Sequence, residues 1–339
     1  MKLIKTEDAV GHVLCHDMTQ IIKDQYKDAR FRKGHVVTEE DIPVLLSMGK
    51  EHLYVWEMTP GMVHENDAAE RLLALCGQEN MIRSGVKEGK IELKAACDGV
   101  FLVDSARLVA VNSQDEVMIA TRKGGMAVRE GDKLAGMRVI PLIIEEEKLR
   151  KAEQAAGDKP LLSLKPYMRK TACIVATGGE VKKGLIKDTF TPVVIDKLKT
   201  YGIETLEVVY SGDGVENVRD AVLAMREKKP DMILCTGGMS VDPDDNTPGG
   251  IKAAGANIIA YGAPVLPGAM FLLGYFDDGM PVMGLPGCVM YAGATVFDLV
   301  LPKIAADVPV TRADLAALGE GGLCLGCKPC HYPICPFGK

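Results

Sequence analysis

The sequence predicts an α/β protein. A doubly wound, mostly parallel sheet in the C-terminal half follows a small α/β unit and a β-rich module, and a cysteine-rich tail closes the chain. Three observations carry this reading. From Thr171 onward, apolar strand-like runs alternate with helical stretches, the pattern of a parallel sheet joined by helical crossovers. Between Gly85 and Ile144, short apolar runs are separated by turn residues, as in a barrel or sandwich. Of ten cysteines in 339 residues, four crowd into the last sixteen positions.

Residues 1–58 read as the small α/β unit. Val10 to Asp17 and Phe31 to Val37 are strand-like. Thr38 and Asp41 have capping-box spacing and open a short helix through Leu46, which Gly49 stops. His52 to Trp56 follows as a strand. The spacing of His12, His16, His35 and His52 fits no standard metal site. Residues 59–150 hold a helix from His64 to Cys76 and then the β-rich module, in which Leu108 to Val111 is one of the expected strands. Arg122-Lys-Gly-Gly is a basic turn within it. Glu145 to Gly157 is a charged helical connector.

Residues 165–310 carry the main α/β pattern. Thr171 to Ala176, Ile203 to Tyr210, Asp231 to Cys235 and Pro281 to Gly284 are strands. Thr191 to Tyr201, Val215 to Lys228, Thr247 to Ala254 and Val289 to Ala305 are helices. Thr247 is read as the N-cap of its helix, with Pro248 at the first position.

Apolar residues make up 47% of the chain, enough for sizeable cores, and the net charge of −6 argues against a nucleic-acid surface. No apolar stretch is long enough to span a membrane. The first residues carry acids where a signal peptide has its apolar core, so a cytoplasmic location is expected. Six scattered cysteines, mostly in apolar runs, read as reduced core thiols.

The strand ends carry the chemistry. Thr177-Gly178-Gly179-Glu180, Ser211-Gly-Asp213-Gly, Thr236-Gly237-Gly238-Met-Ser240 and Gly284-Leu-Pro286-Gly287 are glycine turns following successive strands, and Pro267-Gly268 adds another. Ligands of open α/β sheets bind at such strand ends, and backbone N–H groups in tight turns suit an anion. Asp213, Asp242, Asp244 and Asp245 stand in the same loops, where carboxylates beside a phosphate suit Mg²⁺. Asp188 precedes a helix and reads equally as a cap. Neither a dinucleotide fingerprint nor a Walker loop is present.

In combination these motifs resemble the molybdopterin-binding domain of the MogA/MoaB and MoeA type, over roughly residues 171–306. The full order, with a region preceding this domain, is closer to MoeA. The resemblance implies a pterin-phosphate site built by Thr177, Gly178, Gly179, Glu180, Asp188, Thr236, Gly237, Gly238, Ser240, Pro286 and Gly287. It implies Asp245, with Asp213 as a looser match, for catalysis or Mg²⁺. The implied activity is insertion of molybdate into adenylylated molybdopterin, with a molybdoenzyme apoprotein as further partner and a homodimer as the assembly. A cofactor carrier and a MgATP-dependent adenylyltransferase are the alternatives. The chain departs from MoeA in lacking the S-x-M-D-G-[YF]-A motif and in placing Cys288-Val289 after Gly287, where Asn-Pro is usual.

The tail reads Cys324-x₂-Cys327-x₂-Cys330-x₄-Cys335, with His331 inside it. Thiols so spaced suit a soft metal, either Zn²⁺ or an iron–sulfur cluster.

Overall fold

The structure, a computed structural model, describes residues 2–22, 26–55, 60–240, 242 and 245–339. The chain divides into two compact units. The first comprises residues 1–96, 103–124 and 131–163, and the second residues 97–102, 125–130 and 164–339.

In the first unit, the strand Lys2–Lys5 pairs antiparallel with His52–Val55. Met18–Ile22 and Tyr26–Phe31 form a hairpin. The expected strand from Val10 to Asp17 is instead irregular backbone, with isolated bridges at Val13 and Leu14. Its side chains serve a small core around Leu14, Leu45, Leu53 and Val55 without needing a full ladder. The expected helix is Asp41–Ser47, and the Asp41 carboxylate accepts from the Thr38 N–H at 2.8 Å. Trp56, the end of the expected strand, lies outside the described residues.

The β-rich stretch forms a four-stranded antiparallel sheet in the order Met81–Arg83, Ile91–Ala95, Lys133–Val139, Val117–Thr121. The run at Leu108 is not a strand. It lies in the helix Ser105–Asn112, because Asp104 caps the first turn by accepting from the Arg107 N–H at 3.1 Å. Arg122 of the basic turn is held by Asp132 at 2.7 Å. Met126–Val128 pairs with the 99–101 stretch and belongs to the second unit.

The second unit is built on a six-stranded sheet. Its elements are β1 (Thr171–Thr177), α1 (Phe190–Lys199), β2 (Glu204–Ser211), α2 (Val215–Arg226), β3 (Met232–Thr236), α3 (Thr247–Ala253), β4 (Asn257–Tyr261), β5 (Leu272–Tyr275), β6 (Pro281–Leu285), α4 (Val296–Ala305) and α5 (Arg312–Ala317). The strand order is β2-β1-β3-β6-β5-β4. The first four strands run parallel. β5 and β4 are antiparallel additions that the sequence reading missed. Antiparallel neighbours need no helical crossover, so the strand–helix alternation does not reveal them.

Strand residues alternate between two cores. Ala172, Ile174, Met232, Leu234, Met283 and Leu285 pack with Val194 and Leu198 of α1 and with α4. Cys173, Val175, Ile233, Cys235 and Val282 pack with Val218 and Val222 of α2 and Ile251 of α3. Helices therefore cover both faces, and the central strands read as continuous apolar runs. Burying each Val, Leu, Ile or Met among these contributes about 1.5–3 kcal/mol.

The tail is not a separate body. It belongs to the second unit, and Phe337 enters the same core as α4. No helix among the described residues is long and apolar enough to cross a membrane.

Candidate functional site

β3 delivers its chain to the C-terminal edge of the sheet and ends in Gly237 and Gly238, with φ of +82° and +55°. Side chains are excluded here twice. Left-handed backbone disfavours them, and a Cβ would lie 2.4 Å from the Thr177 carbonyl at Gly237 and 2.6 Å from Thr247 Oγ1 at Gly238. Two threonines fix the turn from below. The Thr177 hydroxyl donates to the Thr236 carbonyl at 2.9 Å, and the Thr247 hydroxyl donates to the Gly237 carbonyl at 2.9 Å. The two hydroxyl oxygens are also 3.1 Å apart. Each hydroxyl has a single proton, so with both donated to carbonyls this third contact holds no hydrogen bond of its own.

This corrects the reading of Thr247 as a cap. Asn246 is the N-cap of α3, and Thr247 is buried in the turn, at 1% exposure. Pro248 does occupy the first turn.

Beyond the turn, the Ser240 N–H donates to Asp245 Oδ2 at 2.9 Å, and the Asp245 N–H donates to the Asp242 carbonyl at 2.9 Å. The loop thus folds back so that Asp245 faces the glycines. Tyr261, from β4, buttresses it by donating its hydroxyl to the Met239 carbonyl at 2.9 Å. Burial, and then the Asp245 charge, push the Tyr261 phenol above its ordinary pKa, so it stays a donor.

A cleft of about 490 Å³ opens there. Of the residues expected from sequence, it gathers Gly237, Gly238, Ser240, Asp245, Pro286 and Gly287. Met239, Gly268, Ala269, Met270, Cys288, Met290 and Tyr291 complete the lining. Gly268 permits a close approach, since a Cβ there would be 2.6 Å from Val296. The three methionines were not anticipated. The signal for them was their position, each one to three residues past a glycine of one of these turns. Burial pushes the half-exposed Cys288 thiol above its usual pKa, with the Asp298 charge adding to the effect. It therefore lines the cleft as a neutral thiol rather than a thiolate.

The other expected residues do not line the cleft. Thr177 and Thr236 are buried supports of the turn. Gly178, Gly179 and Glu180 stand at the end of β1, where the Gly179 N–H donates to Asp213 Oδ2 at 2.9 Å. Asp213 thus ties the loop after β2 to the loop after β1. Asp188 accepts from the N–H groups of Phe190 and Thr191 at 2.9 and 3.0 Å and from the Tyr210 hydroxyl at 3.2 Å. Burial alone would raise its pKa, but these donors outweigh burial and hold it below the usual carboxylate range. It caps α1, which was one of its two expected roles. Asp242 is exposed, and Asp244 lies outside the described residues.

Among the described residues, no three His, Cys, Asp or Glu side chains converge as a metal set. Cys324, Cys327, Cys330 and Cys335 are all free, the middle two exposed and the outer two half-buried. The histidines of the first unit likewise form no metal group.

Fold and site together define an α/β domain with a strand-end cleft built on a double-glycine turn and an inward carboxylate. Residues 173–306 match the family model of a probable molybdopterin binding domain. Residues 3–57 match a domain of unknown function (DUF8806). A CinA-like protein from Mycobacterium tuberculosis is 33% identical over 76 residues, covering 22% of this chain and 18% of that protein. The chain thus spans less than a fifth of the length of the curated relatives it matches. Among solved structures, the molybdopterin biosynthesis Mog protein from Mycobacterium ulcerans is 24% identical, covering 41% of this chain and 93% of its own, with a TM-score of 0.34. A molybdenum cofactor biosynthesis protein from Pyrococcus furiosus is 12% identical, covering 93% of this chain and 64% of its own, with a TM-score of 0.27.

Proposed function

We propose that the cleft holds the phosphate end of molybdopterin and that the chain acts in molybdenum-cofactor assembly, transferring molybdate into adenylylated molybdopterin with release of AMP. The observation that carries this reading is the convergence of Gly237, Gly238, Ser240, Asp245, Pro286 and Gly287 on one cleft inside the segment matched to the molybdopterin-binding family. The turn offers backbone N–H groups held rigid by the two threonines, so they need little reorganisation to meet an anion. The three methionines supply polarisable apolar surface for a flat heterocycle.

Asp245 is the residue in place to hold Mg²⁺. One of its oxygens is engaged by the Ser240 N–H, which orients the carboxylate, and among the described residues the other oxygen is left for a hard cation. Mg²⁺, when bound, would neutralise phosphoanhydride charge.

The purified chain, given adenylylated molybdopterin, Mg²⁺ and molybdate, is expected to release AMP. Given molybdopterin and MgATP instead, formation of the adenylylated pterin would assign the adenylyltransferase reaction. One observation favours the carrier as the second reading. Asp213 and Asp188 are engaged by backbone N–H groups, which leaves Asp245 as the only expected acid lining the cleft among the described residues. Tight pterin binding with neither reaction, and cofactor delivery unaffected by Asp245→Ala, would establish that reading.

A further inference from the structure

The cleft has two chemically different sides. Ser240 and Asp245, its strong side-chain hydrogen-bonding groups, come from the turn after β3. The adjacent parallel strand β6 delivers the other side through Pro286, Gly287, Cys288, Met290 and Tyr291. On that lip the side-chain hydrogen-bonding atoms are the Cys288 thiol, a weak donor, and the Tyr291 hydroxyl.

Tyr291 differs from the other tyrosines. It is 78% exposed, the highest value for a tyrosine among the described residues. In the same unit Tyr210, Tyr261 and Tyr332 donate their hydroxyls to Asp188, Met239 and Asp298. Tyr167 and Tyr201 pack edge to face. Among the described residues, Tyr291 has neither a side-chain hydrogen bond nor a ring-to-ring contact. Tyrosine pairs a large apolar face with a polar tip, and such a face is normally covered by core or by a ligand.

The root of this side chain is fixed. The N–H groups of Tyr291 and Ala292 both donate to the Cys288 carbonyl, at 3.2 and 2.9 Å, and Val289 between them and the cleft floor is sealed in the main core. Beside it, the Thr189 hydroxyl donates to the Met290 sulfur at 3.1 Å. Beyond it, a Cβ on Gly293 would lie 2.7 Å from the Cys330 Cβ, so the tail packs against this turn. With the backbone held and only two side-chain torsions free, settling the ring on a ligand costs little entropy.

We infer that Tyr291 is the stacking platform for the nucleotide base of the cleft's ligand, so that the cleft sorts nucleotidylated pterin from bare pterin. This rests on the function proposed above and adds the residue that recognises the second heterocycle. The phosphate meets the glycine turn after β3, and the base lies on the lip after β6. That lip presents a π face with little side-chain means of reading the edge of a base. Stacking of this kind tolerates different bases. The ligand class is therefore a purine nucleoside 5′-phosphate rather than adenylate alone.

The test is equilibrium dialysis of the full chain, with Mg²⁺ present, against AMP, GMP and ribose 5-phosphate. The last carries the phosphate without a base. Wild type should bind AMP at least about fivefold more tightly than ribose 5-phosphate, and GMP within about fivefold of AMP. Tyr291→Ala should weaken AMP at least about fivefold and leave ribose 5-phosphate unchanged, whereas Tyr291→Phe should stay within about twofold of wild type. The side chain is exposed, so the alanine variant should keep the wild-type unfolding midpoint.

Equal AMP affinity in wild type and Tyr291→Ala overturns the platform, as does an equal loss of AMP and ribose 5-phosphate binding. A wild-type chain that binds AMP no better than ribose 5-phosphate does the same. A much stronger preference for one purine overturns the base tolerance. The dialysis uses neither pterin nor turnover. Bare molybdopterin, bound equally by wild type and Tyr291→Ala, would complete the sorting argument. A chain that binds AMP through Tyr291 but no molybdopterin keeps the platform and loses the function proposed above.

Discussion

The double-glycine turn makes a quantitative prediction through Gly237→Ala. Its φ of +82° belongs to the left-handed region, where an alanine costs about 1–2 kcal/mol. The added Cβ would also sit 2.4 Å from the Thr177 carbonyl oxygen and 2.8 Å from Thr177 Oγ1. That carbonyl is the end of β1, so relief requires moving a central strand, and overpacking of this kind costs about 1–3 kcal/mol. Together the destabilisation is about 2–5 kcal/mol. Gly287→Ala is the matched control. It lines the same cleft, but a Cβ there meets nothing within 4 Å and its φ is not positive. Its stability should stay within about 0.5 kcal/mol of wild type. Urea unfolding followed by circular dichroism compares the two. Equal midpoints for both variants would refute the argument that backbone approach, rather than glycine content, defines this turn.

Further outcomes follow from the same geometry. Asp245→Asn keeps shape and an acceptor for the Ser240 N–H, so the chain should fold normally while Mg²⁺-dependent AMP release falls at least about a hundredfold; retained turnover would remove Asp245 from the reaction. Thr247→Val deletes the donor to the buried Gly237 carbonyl and should cost about 1–3 kcal/mol in a denaturant titration. Asp188 is held below the usual carboxylate range when folded, so its stabilising contribution is complete above the unfolded-state pKa and is lost as pH falls through the folded value. Asp188→Asn should therefore flatten the acid limb of stability against pH. Burial pushes the Cys76 and Cys235 thiols up to about 12, so brief alkylation of the reduced, metal-free chain near pH 8 should label Cys327 and Cys330 and spare that pair by mass spectrometry.

The strand-end motifs were legible because their information is local. A glycine pair after an apolar run is required by backbone sterics wherever the run ends, and four parallel strands announce themselves through the helices between them. Less visible were features decided by partners distant in sequence. Thr247 looks like a cap from its immediate neighbours, yet its hydroxyl donates to the Gly237 carbonyl, ten positions earlier, and the side chain is buried in the turn. Leu108 to Val111 was missed for a local reason instead: its composition is strand-like, but the Asp104 carboxylate just before it starts a helix.

By itself the sequence determined the α/β character of the C-terminal half, the glycine turns, and the placing of Asp245 beside them, since periodicity and steric exclusion act within a few residues. Tertiary structure alone decided how the acids divide. Asp213 is bound to the Gly179 N–H of a neighbouring loop, Asp188 caps a helix, and Asp245 turns toward the cleft. A carboxylate in a loop can satisfy a backbone donor or face a ligand, and which it does depends on the strand that lies next to it in the sheet.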